Sequence, residues 1–143
     1  MSSFSPLAIG ATCNCLALRR AARGLARSYD EAFRPLDLNN GQFSTLTAIA
    51  GLQPAGIQAL ADCLGMDRTT VTAALKPLRR RGLVEVEVAE NDQRGRGARL
   101  TRAGMALLEQ AIPLWEAVQR SVSAQLGGVE MAHGFRRQLA RLE

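Results

Sequence analysis

The chain has 143 residues, 47% hydrophobic and 22% charged, which fits one folded domain and excludes a disordered or collagen-like chain. No run of about 18 apolar residues predicts a membrane span, and the first eleven residues lack the pattern of a secretory signal. The net charge of +5 comes from arginine, which suits contact with phosphate and guanine, since Lys76 is the only lysine. Because neither a membrane span nor a secretory signal is predicted, we expect a cytoplasmic protein.

The cysteine and histidine content argues against a metal site and against catalysis. The three cysteines, Cys13, Cys15 and Cys63, show no CxxC spacing, and His133 is the only histidine, so neither a zinc site, a disulfide framework nor a cofactor is predicted. His133 has no Ser, Cys or carboxylate partner at a spacing typical of an active site. We expect no enzyme, with Cys63 in the core and His133 on the surface.

The N-terminal third of the chain has the periodicity of two helices. Apolar residues recur every three or four positions from Ala11 to Phe33, which predicts one long amphipathic helix. Pro35 ends that helix. Asn39 followed by Gln42 resembles a capping box, which predicts the start of a second helix over about 40–51.

Two shorter helices follow, joined by a tight turn. The first covers residues 57–64 and stops at Gly65, a residue suited to a left-handed C-cap. Asp67 can cap the second, which covers 68–81. Pro77 inside this helix lacks an amide hydrogen, so we expect a bend or a loosened last turn.

The remaining chain is predicted to form a hairpin and two further helices. Alternating Val and Glu over 83–89 predict a strand, and 98–101 can return beside it after a polar loop over 90–97. The helical period resumes from Arg102, breaks at a pair of glycines, and restarts for a last helix that ends at Leu142.

This order of elements, two short helices followed by a hairpin, describes a winged helix-turn-helix. The second helix fits the major groove of DNA, and loop arginines suit a neighbouring minor groove. Residues 67–102 carry nine Lys or Arg against five Asp or Glu, although a basic face can also be simply solvated. The candidate DNA-binding residues are Arg68, Thr69, Thr70, Thr72 and Lys76 on the helix, with Arg94, Arg96 and Arg99 on the hairpin.

Several segments resemble the multiple antibiotic resistance regulator (MarR) family of transcription factors: MDRTTVT, RRRGLVE, the D-x-R of Asp92 and Arg94, and LTRAG. The resemblance spans nearly the whole chain and implies a repressor that binds a pseudo-palindromic operator as a homodimer. It implies that Arg94 enters the minor groove and that Asp92 orients it. It also implies one domain, 1–143, with a winged lobe at about 38–102 and dimerisation helices at about 6–35 and 103–143.

Dimerisation has a physical argument of its own. The Ala- and Leu-rich helices at both ends carry more apolar surface than one small lobe can cover, and a second copy would bury it. We expect Trp115 to pack in that interface, and the alternative is a place in the core of its own chain.

The sequence leaves two alternatives for the signal that the protein senses. Cys15 and Tyr29 lie about four helical turns apart, which resembles the hydroperoxide-sensing branch of the family, although Arg19 and Asn40 stand where that branch has further tyrosines. The more usual family mode implies a small aromatic or phenolic ligand between the dimerisation helices and the lobe. A winged-helix module that binds protein and not DNA is the rival function, but its wing would carry apolar anchors.

Overall fold

The computed structural model describes residues 5–88 and 96–143, and it is mainly helical with a small antiparallel sheet, as predicted. The helices are α1 (Pro6–Thr12), α2 (Asn14–Phe33), α3 (Asn40–Leu52), α4 (Ile57–Leu64), α5 (Arg68–Arg80), α6 (Arg102–Gln125) and α7 (Val129–Leu139). The strands are β1 (Ala55–Gly56), β2 (Val84–Val88) and β3 (Arg96–Leu100), and single 3-10 turns occupy Arg34–Leu36 and Ala140–Leu142.

The N-terminal helical segment is broken, so the prediction of one helix from Ala11 to Phe33 is wrong. Cys13 has extended backbone angles, φ −74° and ψ 106°, and separates α1 from α2. Its sulfur accepts a hydrogen bond from the amide of Leu16 at 3.4 Å and so acts as the N-cap of α2. Cys13 and Cys15 therefore do not share a helix.

The start of α3 confirms the predicted capping box. The Asn39 Oδ1 atom accepts from the Gln42 amide at 2.8 Å, and the Gln42 Oε1 atom accepts from the Asn39 amide at 3.2 Å. A carboxylate oxygen of Asp30 on α2 also accepts from the Asn40 amide at 2.6 Å. These three bonds satisfy amides that a helix start leaves free and fix the direction in which α3 leaves α2.

The helix-turn-helix forms as predicted. Gly65 ends α4 with φ 62°, in the left-handed region that glycine enters without steric cost. The inward residues of α5, Val71, Leu75 and Leu78, are buried. The last turn of α5 is not loosened at Pro77, because the amide of Arg81 still donates to the Pro77 carbonyl at 3.1 Å, and the alternative of a bend stays a prediction.

The sheet has three strands in the order β1-β3-β2, one more than the sequence predicted. Strand β1 pairs Ala55 with Ala98 and is only two residues long, too short for an alternating pattern to reveal. The alternation in β2 is confirmed, with Val84 buried and Glu85 exposed. Arg96 and its successor, predicted in the loop, belong to β3.

Stacked aromatic rings join the winged lobe to the long helices. The ring centroids of Tyr29 and Phe33 lie 6.1 Å apart, those of Phe33 and Phe43 4.7 Å, and those of Phe43 and Trp115 6.5 Å. Trp115 is half-buried against this core. Its contact with Phe43 supports the intrachain alternative for Trp115, and a role in a dimer interface stays a prediction.

A glycine in the LTRAG segment sets how closely α6 approaches the turn between α5 and β2. A Cβ atom on Gly104 would collide with the carbonyl of Leu83, so only glycine fits this approach. Thr101 caps α6 through its hydroxyl, which accepts from the Gly104 amide at 3.0 Å, and it donates to the Gly82 carbonyl at 2.6 Å. These contacts of Thr101 and Gly104 form a joint between α6 and the turn after α5. The joint fixes the position of α6 relative to the end of α5 and the wing.

Candidate nucleic-acid interface

The outer face of α5 carries the predicted DNA-binding side chains, and all of them are exposed. Thr69, Thr72 and Lys76 recur at spacings of three and four residues and therefore lie on one side of the helix. Arg68 and Thr70 flank this side at the first turn. The structure thus brings together the five helix residues predicted from the sequence.

The first turn of α5 is capped from within the chain. Asp67 accepts hydrogen bonds from the Thr70 amide at 2.7 Å and from the Thr70 hydroxyl at 3.0 Å. These bonds from Thr70 favour the carboxylate and lower the pKa of Asp67. The Thr70 hydroxyl is therefore engaged in the cap, and the Thr72 hydroxyl donates to the Arg68 carbonyl at 2.9 Å, whereas the side chains of Arg68 and Thr69 form no hydrogen bond within residues 5–88 and 96–143.

The three arginines that follow differ in what their side chains contact. Arg79 and Arg80 are exposed and form no ion pair or side-chain hydrogen bond with residues 5–88 or 96–143. The guanidinium of Arg81 donates to the carbonyls of Asp37 at 2.6 Å and of Leu36 at 3.4 Å. Arg79 and Arg80 follow Lys76 by three and four residues, and this spacing is the sequence signal that separates them from Arg81.

Only the base of the wing is described. In β3, the Nε atom of Arg99 lies 3.2 Å from a carboxylate oxygen of Glu87 on β2, an ion pair across the two strands. The backbone of Arg96 belongs to β3. Asp92 and Arg94 lie outside the described residues, so their roles at the tip stay predictions.

A largely apolar cavity of about 880 Å³ lies along α3, between the end of α4 and α6. Phe43, Met66 and Trp115 line it, and Asn40 and Ser44 add polar side chains. Cys63 also lines the cavity and is exposed, so its predicted place in the core is wrong. The reason is its position on α4, where Leu60 and Ala61 face the core and Cys63 lies two residues past Ala61.

The suggested redox pair does not meet within one chain. Cys15 is exposed, whereas Tyr29 lies fourteen residues further, about 21 Å along α2. The Tyr29 hydroxyl donates to the Oε1 atom of Gln119 at 2.6 Å, and burial raises the pKa of Tyr29. A tyrosine could approach Cys15 only from a second copy.

The described ranges contain neither a metal-binding cluster nor a membrane-spanning helix. Within residues 5–88 and 96–143, no group of three or more His, Cys, Asp or Glu side chains could hold a metal ion. In the same ranges, no helix combines the length and apolarity needed to cross a membrane. His133 is exposed, as predicted.

The fold and the polar recognition face define a winged helix-turn-helix protein of the DNA-binding class. Residues 36–95 match the model of the MarR family. The chain is similar to the Mycobacterium tuberculosis transcriptional regulator MosR in complex with DNA, with 43% identity over 91% of this chain and 92% of that one and a TM-score of 0.81.

Two more distant structures share the fold. A mutant of Escherichia coli MarR complexed with operator DNA matches with 24% identity over 96% of this chain and 99% of that one, at a TM-score of 0.85. Bordetella bronchiseptica BpsR, whose DNA binding is regulated by 6-hydroxynicotinic acid, matches with 22% identity over 92% and 93% of the chains, at a TM-score of 0.79.

The chain belongs to the MarR family of transcriptional regulators. It is a DNA-binding regulator and not an enzyme, since the family and the matched proteins are transcription regulators. The rival interpretation, a winged-helix module that binds only protein, is thereby set aside.

Proposed function

We propose that the chain is a homodimeric repressor that binds a pseudo-palindromic operator at the bacterial nucleoid and is released by a small aromatic or phenolic ligand. The observation that carries the proposal is the exposed polar face of α5, which directly precedes the two-stranded base of a wing. A helix of this kind reads base edges in the major groove through its first turns. Arg68, Thr69 and Thr72 hold that position here.

Apolar exposure at both ends of the chain supports the dimer. Helix α1 has no buried residue, and Leu7 is 87% exposed. On α7, Val129 and Met131 are each 62% exposed, and Ala132 is the only buried residue. A two-fold dimer through helices at about 6–35 and 103–143 would cover these side chains and would present two α5 helices about 34 Å apart.

The cavity beside α6 supports release by a ligand. Its apolar lining with Asn40 and Ser44 at the wall suits an aromatic ring that carries a hydroxyl or carboxyl group. A ligand there would contact both α6 and the helix-turn-helix. It would favour the spacing of the two lobes that fits it best, and that spacing need not match the two half-sites of an operator.

Trp115 allows the ligand proposal to be tested directly, since it is the only tryptophan and lines the cavity. Titration with 6-hydroxynicotinic acid or phenol should change its fluorescence and should release the protein from a labelled duplex taken from upstream of its own gene. Ser44→Phe, which narrows the cavity, should weaken both effects and leave DNA affinity unchanged. A fluorescence change without release would contradict the regulatory part of the proposal.

Arg94 provides the test of the predicted wing contact. If the side chain enters the minor groove with Asp92 as its orienting partner, Arg94→Ala should weaken operator binding by about tenfold or more. An unchanged affinity would remove the wing contact from the proposal and leave the contact by α5 intact.

Oxidant sensing through Cys15 is the second candidate, and the exposure of this thiol favours it. Hydroperoxide should then release the wild-type protein from DNA, with oxidation of the thiol to sulfenic acid as the first step. Cys15→Ser should resist release. Equal sensitivity of the two proteins would reject Cys15 as the sensor.

A further inference from the structure

A cleft of about 590 Å³ separates the C-terminal half of α5 from strand β2. One wall is basic and belongs to the recognition helix, and the other belongs to the first strand of the wing. The six lining residues are Lys76, Arg79, Arg80, Val84, Glu85 and Val86.

The position of this cleft follows the geometry of duplex DNA. A recognition helix occupies the major groove, and a wing approaches the neighbouring minor groove. The sugar-phosphate backbone is the ridge that separates these two grooves. A backbone strand would therefore run between α5 and the wing, and the cleft separates the same two elements at the base of the wing.

The charges in the cleft suit a phosphodiester chain. Lys76, Arg79 and Arg80 bring three cationic groups to one wall. Arg80 follows Lys76 by four residues and thus continues the face of α5 that carries Thr69 and Thr72. Glu85 is the single acidic residue among the lining residues.

We propose that the α5–β2 cleft binds the phosphodiester backbone of duplex DNA through Arg79 and Arg80, next to Lys76, and that Glu85 weakens this contact. The inference rests on the proposed function, because it takes the bound duplex as its ligand. Contacts with phosphates do not depend on the identity of the bases. This cleft therefore contributes affinity and salt dependence, and the first turns of α5 discriminate between sequences.

Arg81 offers a matched control at the same end of the helix. Its guanidinium already donates to two backbone carbonyls, those of Leu36 and Asp37. About 100° of helical rotation separates it from Arg80, so it leaves the recognition face. Its replacement removes the same charge as the replacement of Arg80 without removing a group from the cleft.

The test measures DNA affinity against salt concentration for the full-length protein on two duplexes, one from upstream of its own gene and one shuffled. For Arg79→Gln with Arg80→Gln, we expect weaker binding to both duplexes in equal proportion. The slope of log affinity against log salt should become less negative by about 1 for each arginine removed per bound subunit. Glu85→Gln should bind both duplexes more tightly than the wild type does.

Two controls isolate the cleft. Arg81→Gln and Arg27→Gln, which changes an exposed arginine on α2, should retain the wild-type salt slope, and thermal unfolding checks that each variant is folded. A wild-type slope in the double variant, or an equal loss in both controls, would overturn the inference. If the wild type binds both duplexes equally, the proposed regulatory function is contradicted. The salt slopes of the variants would still test whether the cleft binds phosphate.

Discussion

The winged lobe buries most of its apolar core residues, whereas the terminal helices leave many of theirs exposed. Most of the buried core residues lie between Phe33 and Ala111, and the helix-turn-helix and the base of the wing close around them. Outside that span, the only buried hydrophobic residue among those the structure describes is Ala132. The apolar residues left exposed on α1, α2 and α7 include Leu7, Ile9, Leu16, Leu25, Val129, Met131 and Phe135.

The lobe thus completes its core within one chain, with Phe33 of α2 and Leu108 and Ala111 of α6, whereas the helices at the two ends leave apolar side chains exposed. The lobe also satisfies its polar groups locally, through the caps at Asn39, Asp67 and Thr101. Exposed apolar patches at both ends of a chain are typical of an interface between copies.

The largest effect is expected at the joint between the lobe and α6. Gly104→Ala places a methyl group against the Leu83 carbonyl, and the backbone must move to admit it. We expect the melting temperature to fall by about 10 °C or more. Gly51→Ala, at an open position on α3, is the control and should melt no lower than the wild type; a small change in the Gly104 variant would contradict the close packing.

The next effect concerns the terminal helices. Phe135 on α7 and Met66 in the lobe are exposed to nearly the same extent, 36% and 37%. If only the ends form the dimer, Phe135→Arg should raise the dimer dissociation constant by about thirtyfold or more, whereas Met66→Arg should leave it unchanged. Sedimentation at several concentrations measures both constants. Loss of the dimer in the Met66 variant alone would place the interface on the lobe.

A smaller effect is expected from the cap of the recognition helix. Asp67→Ala removes the acceptor for the Thr70 amide, and we expect the melting temperature to fall by about 3 °C. Hydrogen bonds from Thr70 lower the pKa of Asp67 below 3.8, so its charged form is favoured by folding. This contribution is present above pH 3.8 and is lost as the pH falls through the lowered pKa.

Asp67→Asn separates capping from charge in the same experiment. The amide retains an oxygen that can accept the bond, but it does not titrate. The difference in stability between the wild type and the Asp67→Asn variant should therefore shrink as the pH falls below 3.8. A difference that stays constant down to about pH 2 would show that the charge of Asp67 contributes nothing.

The smallest effect is expected where α2 meets α6. Tyr29→Phe removes the hydroxyl that donates to Gln119 and leaves the ring stacked on Phe33. We expect a fall in melting temperature of about 2 °C with no loss of DNA binding. Gln119→Leu in the same background should add little further loss. Additive losses would indicate that the two side chains stabilise the fold separately.

The lobe was predictable from the sequence because its signals are local. The capping box at Asn39 and Gln42, the C-cap at Gly65 and the inward period of α5 each act within a few residues. That period also places Thr69, Thr72 and Lys76 on one exposed side of α5. Strand β1 escaped prediction because it is defined by its pairing with β3, a contact more than forty residues away in sequence.

The failures fall where residue type and periodicity do not indicate the contact that a side chain makes. Cys63 was expected in the core from its residue type, but its place on α4 faces the cavity beside α6. The break at Cys13 depends on a sulfur that caps α2, a rare N-cap that composition does not indicate. The difference between Arg81 and its two neighbours depends on carbonyls of the turn before α3.

The central claim is that the exposed face of α5 reads DNA sequence, and the discrimination ratio tests it most directly. The ratio is the affinity for the duplex from upstream of the gene divided by that for a shuffled duplex, measured by fluorescence anisotropy at fixed salt. The account predicts a ratio well above one for the wild type and a fall of about tenfold in Arg68→Ala, with little change in Arg79→Gln. A wild-type ratio near one, or an unchanged ratio in Arg68→Ala and Thr69→Ala alike, would contradict it.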